Sequence, residues 1–217
     1  MTRLTQTKDG SYSLYSTQYN ELYHSQHGAK TESNYVYIKN GLLYHPNSKQ
    51  LTILELGFGT GLNTLLTLNH QNQTTINYTS IEAYPLSKKN HQQYLKTLPK
   101  DDKANYKLIY QSPWNIDHPI TNSFKLFKQK AFFQTMTLTK QYDLVYADAF
   151  SPRKQPECWS SDIYNNLFKH MNPNAILVTY CSQGSFKRLL TKIGFNVETL
   201  PGPPGKREMT RATKPNL

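Results

Sequence analysis

Gly57, Gly59 and Gly61 stand at every second position directly after the apolar, β-branched run Leu51-Thr-Ile-Leu-Glu55-Leu. Glycine lets the backbone approach a ligand closely and take up positive φ. A strand that feeds a glycine loop and then a helix N-terminus builds a nucleotide-type site. A dinucleotide fingerprint, G-x-G-x-x-G, would need a third glycine where this chain has Leu62. The bland alternative is a loop that only turns the chain, but strand, loop and helix patterns coincide here. Two acids flank this loop in function. Glu82, a little over twenty residues beyond Gly61, can accept hydrogen bonds from both hydroxyls of a ribose, or else cap the next helix. Glu55 either holds the loop or receives an amino group of the ligand.

A third acid sits in Asp148-Ala-Phe150-Ser-Pro152. A carboxylate at a strand end can accept an N–H bond, orient an amine and stabilise charge that develops on its nitrogen. Phe150 can stack on a base or line a channel. The alternative is a turn cap before Pro152 with Phe150 in the core.

The elements that must position these residues alternate. Strand patterns cover residues 51–56, 76–81, 106–110, 142–147 and 175–180, and helix patterns cover 62–70, about 85–98, 160–170 and 184–193. Asn172-Pro173 stops one helix and Gly194 another. Residues 195–200 and 207–212 flank Pro201-Gly-Pro-Pro-Gly205 as a terminal antiparallel pair, while 111–140 gives no clear pattern. This predicts an α/β fold with a mostly parallel sheet and helices on both faces. Ligands bind such sheets beyond the strand C-termini, at the switch point. Gly57, Glu82, Gln111 to Trp114 and Asp148 fall there. Residues 1–50 are polar and Tyr-rich, with a turn at Asp9-Gly10 and a strand-like alternation over 11–15. They read as a small β-containing extension packed on a single unit spanning 51–217.

Lys plus Arg number 25 against 14 Asp plus Glu, a net charge of +11. That balance favours a polyanionic partner, chiefly nucleic acid or an anionic membrane. No apolar run approaches the roughly 20 residues of a spanning helix, and the N-terminus has no secretory h-region. Cys158 and Cys181 lack metal spacing and suit a reduced, cytoplasmic protein. His24 and His27 lie close but have no partners that complete a metal set. Of the basic groups, Lys206-Arg207 beside the Pro/Gly turn suits RNA or active-site contact. The lysines between 88 and 107 suit a solvated face.

Glu55-Leu-Gly-Phe-Gly-Thr-Gly resembles the first motif of class I S-adenosylmethionine (AdoMet) methyltransferases. Asp148-Ala-Phe-Ser-Pro followed by Pro156-Glu-Cys-Trp159 resembles the D-A-F-x-P…P-E-x-W signature of the tRNA 5-methylaminomethyl-2-thiouridine methyltransferases. These form one half of the bifunctional MnmC enzymes and also stand alone. Tyr23 to Ser33, Val36-Tyr-Ile38, the loop through Asn63, Thr179-Tyr180, Gly194-Phe195 and Gly205-Lys-Arg-Glu208 also resemble that family.

The resemblance implies a class I (Rossmann-like) fold and N-methylation of 5-aminomethyl-(2-thio)uridine at the tRNA wobble position. It implies AdoMet held by Tyr23, Glu32, Glu55, Gly57, Phe58, Gly59, Gly61, Asn63, Glu82, Ala83, Trp114 and Asp148. Asp148 is then catalytic, and Phe150, Pro152, Lys206 and Arg207 meet the tRNA anticodon loop. A length of 217 residues leaves no room for the flavin-dependent half of the bifunctional enzymes, so only methylation is expected, by a protein without metal and favoured as a monomer. Two other readings are a transferase acting on a polyamine or other small amine, and a non-catalytic RNA-binding module.

Overall fold

The computed structural model describes residues 2–45 and 48–216; Met1, Pro46 and Asn47 of the expected N-terminal extension lie outside the described residues, as does Leu217. The chain opens with β1 (Thr2–Gln6), β2 (Tyr12–Ser16) and β3 (Glu21–Leu22), which form a three-stranded antiparallel sheet. Next, α1 (Ala29–Ser33) runs directly into a π-helical turn, Asn34–Lys39. The alternating part follows as β4 (Gln50–Leu56), α2 (Leu62–His70), β5 (Thr75–Glu82), α3 (Lys88–Thr97) and α4 (Lys100–Gln111). It continues with β6 (Asp117–Thr121), β7 (Phe124–Lys130), β8 (Tyr142–Ala147) and α5 (Ser161–Lys169). It ends with β9 (Met171–Thr179), α6 (Gly184–Ile193), β10 (Asn196–Pro201) and β11 (Glu208–Thr213).

Eight strands form one sheet in the order β10-β11-β9-β8-β4-β5-β7-β6. β7, β5, β4, β8 and β9 are mutually parallel, and the strands at both edges are antiparallel. Period-two alternation sends neighbouring residues to opposite faces. Ile53, Tyr78 and Leu144 pack with Leu65 of α2 and Tyr106 of α4, whereas Leu54 and Val145 pack with Leu167 of α5 and Leu190 of α6. Both faces are therefore apolar and covered, as a parallel sheet requires.

One expected strand is a helix. Residues 106–110 belong to α4, and the third parallel strand is β7. Tyr106, Ile109 and Tyr110 follow an i, i+3, i+4 spacing, with Tyr106 and Ile109 buried and Leu108 47% exposed. Pro99 and the first-turn acids Asp101 and Asp102 start this helix. β7 lacks a clear strand pattern in the sequence because its alternation of Phe124, Leu126 and Lys128 puts a lysine at a core position. That lysine donates to Ile109 O and Tyr110 O, both at 3.1 Å, and lies against the Phe58 and Trp114 rings. Its burial pushes the ammonium down to about 8. β9 also starts earlier than expected. Pro173 is accommodated where the β8–β9 register shifts, next to the left-handed Asn174.

Candidate active site

β4 pairs with β5 on one side and β8 on the other, so the chain diverges at its C-terminal end. The Gly57 N–H donates to Ile81 O (2.9 Å) and the Asp148 N–H to Leu56 O (3.0 Å), which ties the three strand ends together. Gly57 has φ +96°, and a Cβ there would stand 2.5 Å from the Asp148 carbonyl oxygen. Gly59 has φ +48°, and its Cβ would meet the Tyr23 ring at 3.0 Å. Any side chain at either position would strain the backbone and close the space. The Gly59 N–H donates to Glu82 Oε2 (3.1 Å) and the Tyr84 N–H to Oε1 (2.9 Å). Burial raises the Glu82 carboxyl, and these backbone donors pull it back.

Above this loop lies a cavity of about 600 Å³. Gly57, Phe58, Gly59, Asn63, Glu82, Ala83, Tyr23, Asp148 and Phe150 line it, together with Tyr84, Phe132 and Phe133. Its size suits a small-molecule site. The glycine walls and the acid at the β5 end fit AdoMet. Glu82 keeps lone pairs for ribose hydroxyls, and the aromatic end around Tyr84 and Phe132 offers faces for a purine.

Asp148 sits at the cavity wall between two donors. Tyr37 Oη donates to Oδ1 at 2.6 Å and Asn63 Nδ2 to Oδ2 at 2.7 Å. Burial pushes the Asp148 carboxyl up to about 7; Tyr37 and Asn63 oppose this, as does Lys206, while Glu32 adds to it. The backbone after Asp148 is anchored as well. Tyr180 Oη donates to Ala149 O (2.7 Å) and Trp159 Nε1 to Phe150 O (2.8 Å). The Phe150 ring packs on Tyr19 and Tyr23, with centroids 4.5 and 4.9 Å away. Across Tyr23 and Phe150 opens a second cavity of about 510 Å³, lined also by Arg3, Glu21, Glu32, Tyr180 and Lys206.

The remaining expected site residues lie elsewhere. Glu55 is fully buried, lines neither cavity, and accepts from Ser80 of β5 and Thr64 of α2. Trp114 lines neither of the two cavities and supports Phe58 edge-on at 5.6 Å. Gly61 is the left-handed residue that starts α2, and a Cβ there would meet the Phe58 ring. Pro152 turns the chain just outside the lining residues. Glu32 lines the second cavity rather than the first, where its Oε1 binds Lys206 Nζ at 2.6 Å. That ammonium also lies 3.7 Å from the Tyr180 ring centroid. The Arg207 side chain by contrast is 93% exposed and pairs with its neighbour Glu208. Tyr37 went unread as a site residue. Its position in a rare π-helical turn, a feature frequent at functional sites, has no simple sequence pattern.

No helix among the described residues is long and apolar enough to cross a membrane. Those residues also contain no group of three or more His, Cys, Asp or Glu able to hold a metal ion.

The sequence profile of an S-adenosyl-L-methionine-dependent methyltransferase family matches residues 85–215, more than half of the chain. Among curated proteins, the bifunctional tRNA 5-methylaminomethyl-2-thiouridine biosynthesis protein MnmC of Hydrogenovibrio crunogenus is 28% identical over 214 residues, covering 89% of this chain and 31% of that protein. The protein of the same name from Cupriavidus metallidurans is 29% identical over 221 residues, covering 91% and 32%. The chain thus spans about a third of the length of these relatives. Among solved structures, MnmC2 from Aquifex aeolicus superposes over 100% of this chain and 73% of its own, with a TM-score of 0.84 at 25% identity. The N-methyltransferase NodS from Bradyrhizobium japonicum shares the fold, with a TM-score of 0.50 at 12% identity over 86% of this chain and 94% of its own. The glycine loop, the acid at the β5 end and the matched profile agree: this chain belongs to the S-adenosyl-L-methionine-dependent methyltransferase family.

Proposed function

We propose that this protein methylates the primary amine of 5-aminomethyl-(2-thio)uridine at the tRNA wobble position, giving the methylaminomethyl form. The observation that carries this reading is Asp148, clamped by Tyr37 and Asn63 in the wall of the first cavity, directly before Ala149 and Phe150, which line both cavities. One cavity fits AdoMet, and the other leaves room for an acceptor. The names of the MnmC relatives, similar over nearly all of this chain, support the choice of acceptor.

Bound AdoMet supplies an electrophilic methyl on its sulfonium. The chain does the rest. Glu82 and the Gly57–Gly59 backbone hold the cofactor. Asp148, ionised, accepts an N–H bond from the neutral amine and aims its lone pair, and takes a proton from that nitrogen only after the methyl has transferred. Its charge offsets the positive charge that grows on nitrogen. Phe150, backed by Tyr19 and Tyr23, offers a face for the base. Lys206 acts within the pocket through Glu32, while the exposed Arg207 suits phosphate contact. An anticodon-loop base is single-stranded and is extruded at lower energy than a paired one.

Residues 1–50 belong to the site in this reading, as an extension that packs on the 51–217 unit and brings Tyr23, Glu32 and Tyr37 to the acceptor side. The setting is the cytoplasm, with the protein acting as a monomer. A polyamine acceptor would call for free acids in the second cavity. Glu21 there is engaged by the Ser151 N–H and hydroxyl, and Glu32 by Lys206. The test is direct. The protein is incubated with AdoMet and tRNA carrying 5-aminomethyl-2-thiouridine, and in parallel with spermidine. Nucleoside mass spectrometry should show one added methyl on the tRNA uridine. Methylation of spermidine alone would refute the proposal.

A further inference from the structure

The chain turns sharply just after Asp148. Ser151-Pro152-Arg153-Lys154 is a β-turn, in which the Lys154 N–H donates to Ser151 O at 2.8 Å; the Gln155 N–H donates to the same oxygen at 2.9 Å. Pro152 stands at the second position, where its ring presets φ. Both ends of the turn are fastened. The Phe150 carbonyl accepts from Trp159, and Glu21 Oε2 accepts from the Ser151 N–H (3.3 Å) and hydroxyl (3.1 Å). On the far side, Gln155 Nε2 donates to Tyr19 Oη at 3.2 Å.

The backbone is held, but the charges at its tip are not used. Arg153 and Lys154 are both exposed and have no ion-pair or side-chain hydrogen-bond partner among the described residues. Glu21 is taken up by Ser151, and Glu157 forms no ion pair among the described residues. Phe150, before the turn, lines both cavities, and Gln155, after it, lines the first, so the turn stands at their rim. The cations that line the second cavity are already engaged. Lys206 binds Glu32, and Arg3 lies over the Tyr15 ring, 5.4 Å from its centroid. A base stacked on Phe150 would bring its own phosphate and those of its neighbours to this rim. A guanidinium can pair two phosphate oxygens at once, and an ammonium adds a point charge. A turn already fixed by Pro152 and its anchors loses little freedom when it binds.

We propose that Arg153 and Lys154 form a phosphate-binding turn, which seats the single-stranded RNA that flanks the acceptor base. That this strand is an anticodon loop rests on the function proposed above; the binding of RNA phosphate at the turn does not. Such contacts hold and orient the strand without reading its sequence.

The experiment separates position from net charge. Arg153→Ala/Lys154→Ala and Lys49→Ala/Lys169→Ala each remove two exposed cations from a chain of net charge +11. Lys49 precedes β4, and Lys169 ends α5 ahead of β9. Both therefore lie at the N-terminal ends of the parallel strands, the opposite end from the cavities. The probe is a fluorescent anticodon stem-loop RNA with an unmodified wobble uridine, followed by anisotropy without AdoMet. The turn variant should lose roughly tenfold in affinity at ~0.1 M salt. Its slope of log affinity against log salt should flatten by about 1.4, at about 0.7 per single-strand phosphate. The remote variant should stay close to wild type in both. The exchange Arg153→Lys/Lys154→Arg should restore most of the affinity. Calorimetry should show wild-type AdoMet binding in each variant, which certifies the fold. Affinity lost at the turn, in a protein that leaves aminomethyluridine tRNA unmethylated, would support the phosphate site and overturn the methylation reading alone. Equal losses from the two double variants, or a wild-type salt slope in the turn variant, would overturn the phosphate site.

Discussion

In the function proposed above, the cofactor wall and the acceptor wall of the site are built in opposite ways. The cofactor wall is mostly backbone. Gly57 and Gly59, both at positive φ, meet Glu82 across one strand spacing, and main-chain N–H groups hold the acid. The acceptor wall is entirely side chain. Tyr37 comes from the π-helical turn, Asn63 from α2, Asp148 from the end of β8 and Lys206 from the turn before β11. Backbone sites depend on local geometry and fail when a Cβ is added. Side-chain sites depend on protonation and fail when a partner is removed. The first wall should thus respond to sterics and the second to pH.

The largest expected effect is on the acceptor wall. Asp148→Ala should lower turnover by about 10²–10⁴-fold, the usual weight of a positioned acid–base group. AdoMet affinity from calorimetry should move far less. Asp148→Asn keeps the shape and one acceptor oxygen, so a comparable loss would assign the effect to charge rather than to position. Equal losses in turnover and cofactor affinity would erase the distinction between the walls.

Next come the cofactor variants. Glu82→Ala should weaken AdoMet binding by roughly tenfold to a hundredfold, the equivalent of about 1.5–3 kcal/mol for a charge-assisted hydrogen bond. Gly59→Val should do at least as much, since its Cβ meets Tyr23 and its φ is forced. Isothermal calorimetry on folded variants decides both, and unchanged affinity in the two would place the cofactor elsewhere.

A smaller effect is expected from Tyr37→Phe. The Tyr37 hydroxyl favours ionised Asp148, so its loss should raise the Asp148 pKa further above about 7. The acid limb of the pH–rate profile should move to higher pH, so that activity falls several-fold near pH 6.5 and recovers near pH 8. An unmoved limb would show that Asp148 does not titrate in the reaction.

The smallest effects separate two neighbours. Arg207→Ala should flatten the salt dependence of tRNA affinity by about one counterion contact. Lys206→Ala should leave that slope nearly unchanged, because its ammonium is paired with Glu32, and should alter turnover instead. Identical salt slopes for the two variants would break the assignment. The sequence suggested one role for the pair; the ion pair with a residue 174 positions away divides them.

That division shows what the sequence carried. The glycine loop, Glu82 and the strand end at Asp148 were legible because each is written in a short contiguous stretch with its own period. Six of the eight strands of the sheet were legible, but β6 and β7 fall within residues 111–140, which showed no clear pattern. Lys128 sits at a core position of β7, and its two carbonyl partners lie in α4, so the true third strand looked polar. Residues 106–110, with a tyrosine at each end, then looked like a strand, although their inward face follows helical spacing. Tyr37 as a site residue, and the pairing of Glu32 with Lys206, were illegible because their meaning lies in long-range contacts alone.

The most direct test of amine methylation at Asp148 is mass spectrometry of wobble uridines from cells lacking this gene. The deletion should accumulate 5-aminomethyl-2-thiouridine and lose the methylaminomethyl form. The wild-type gene should restore it, and Asp148→Asn should not. An unchanged nucleoside profile in the deletion, or full restoration by Asp148→Asn, would contradict the account.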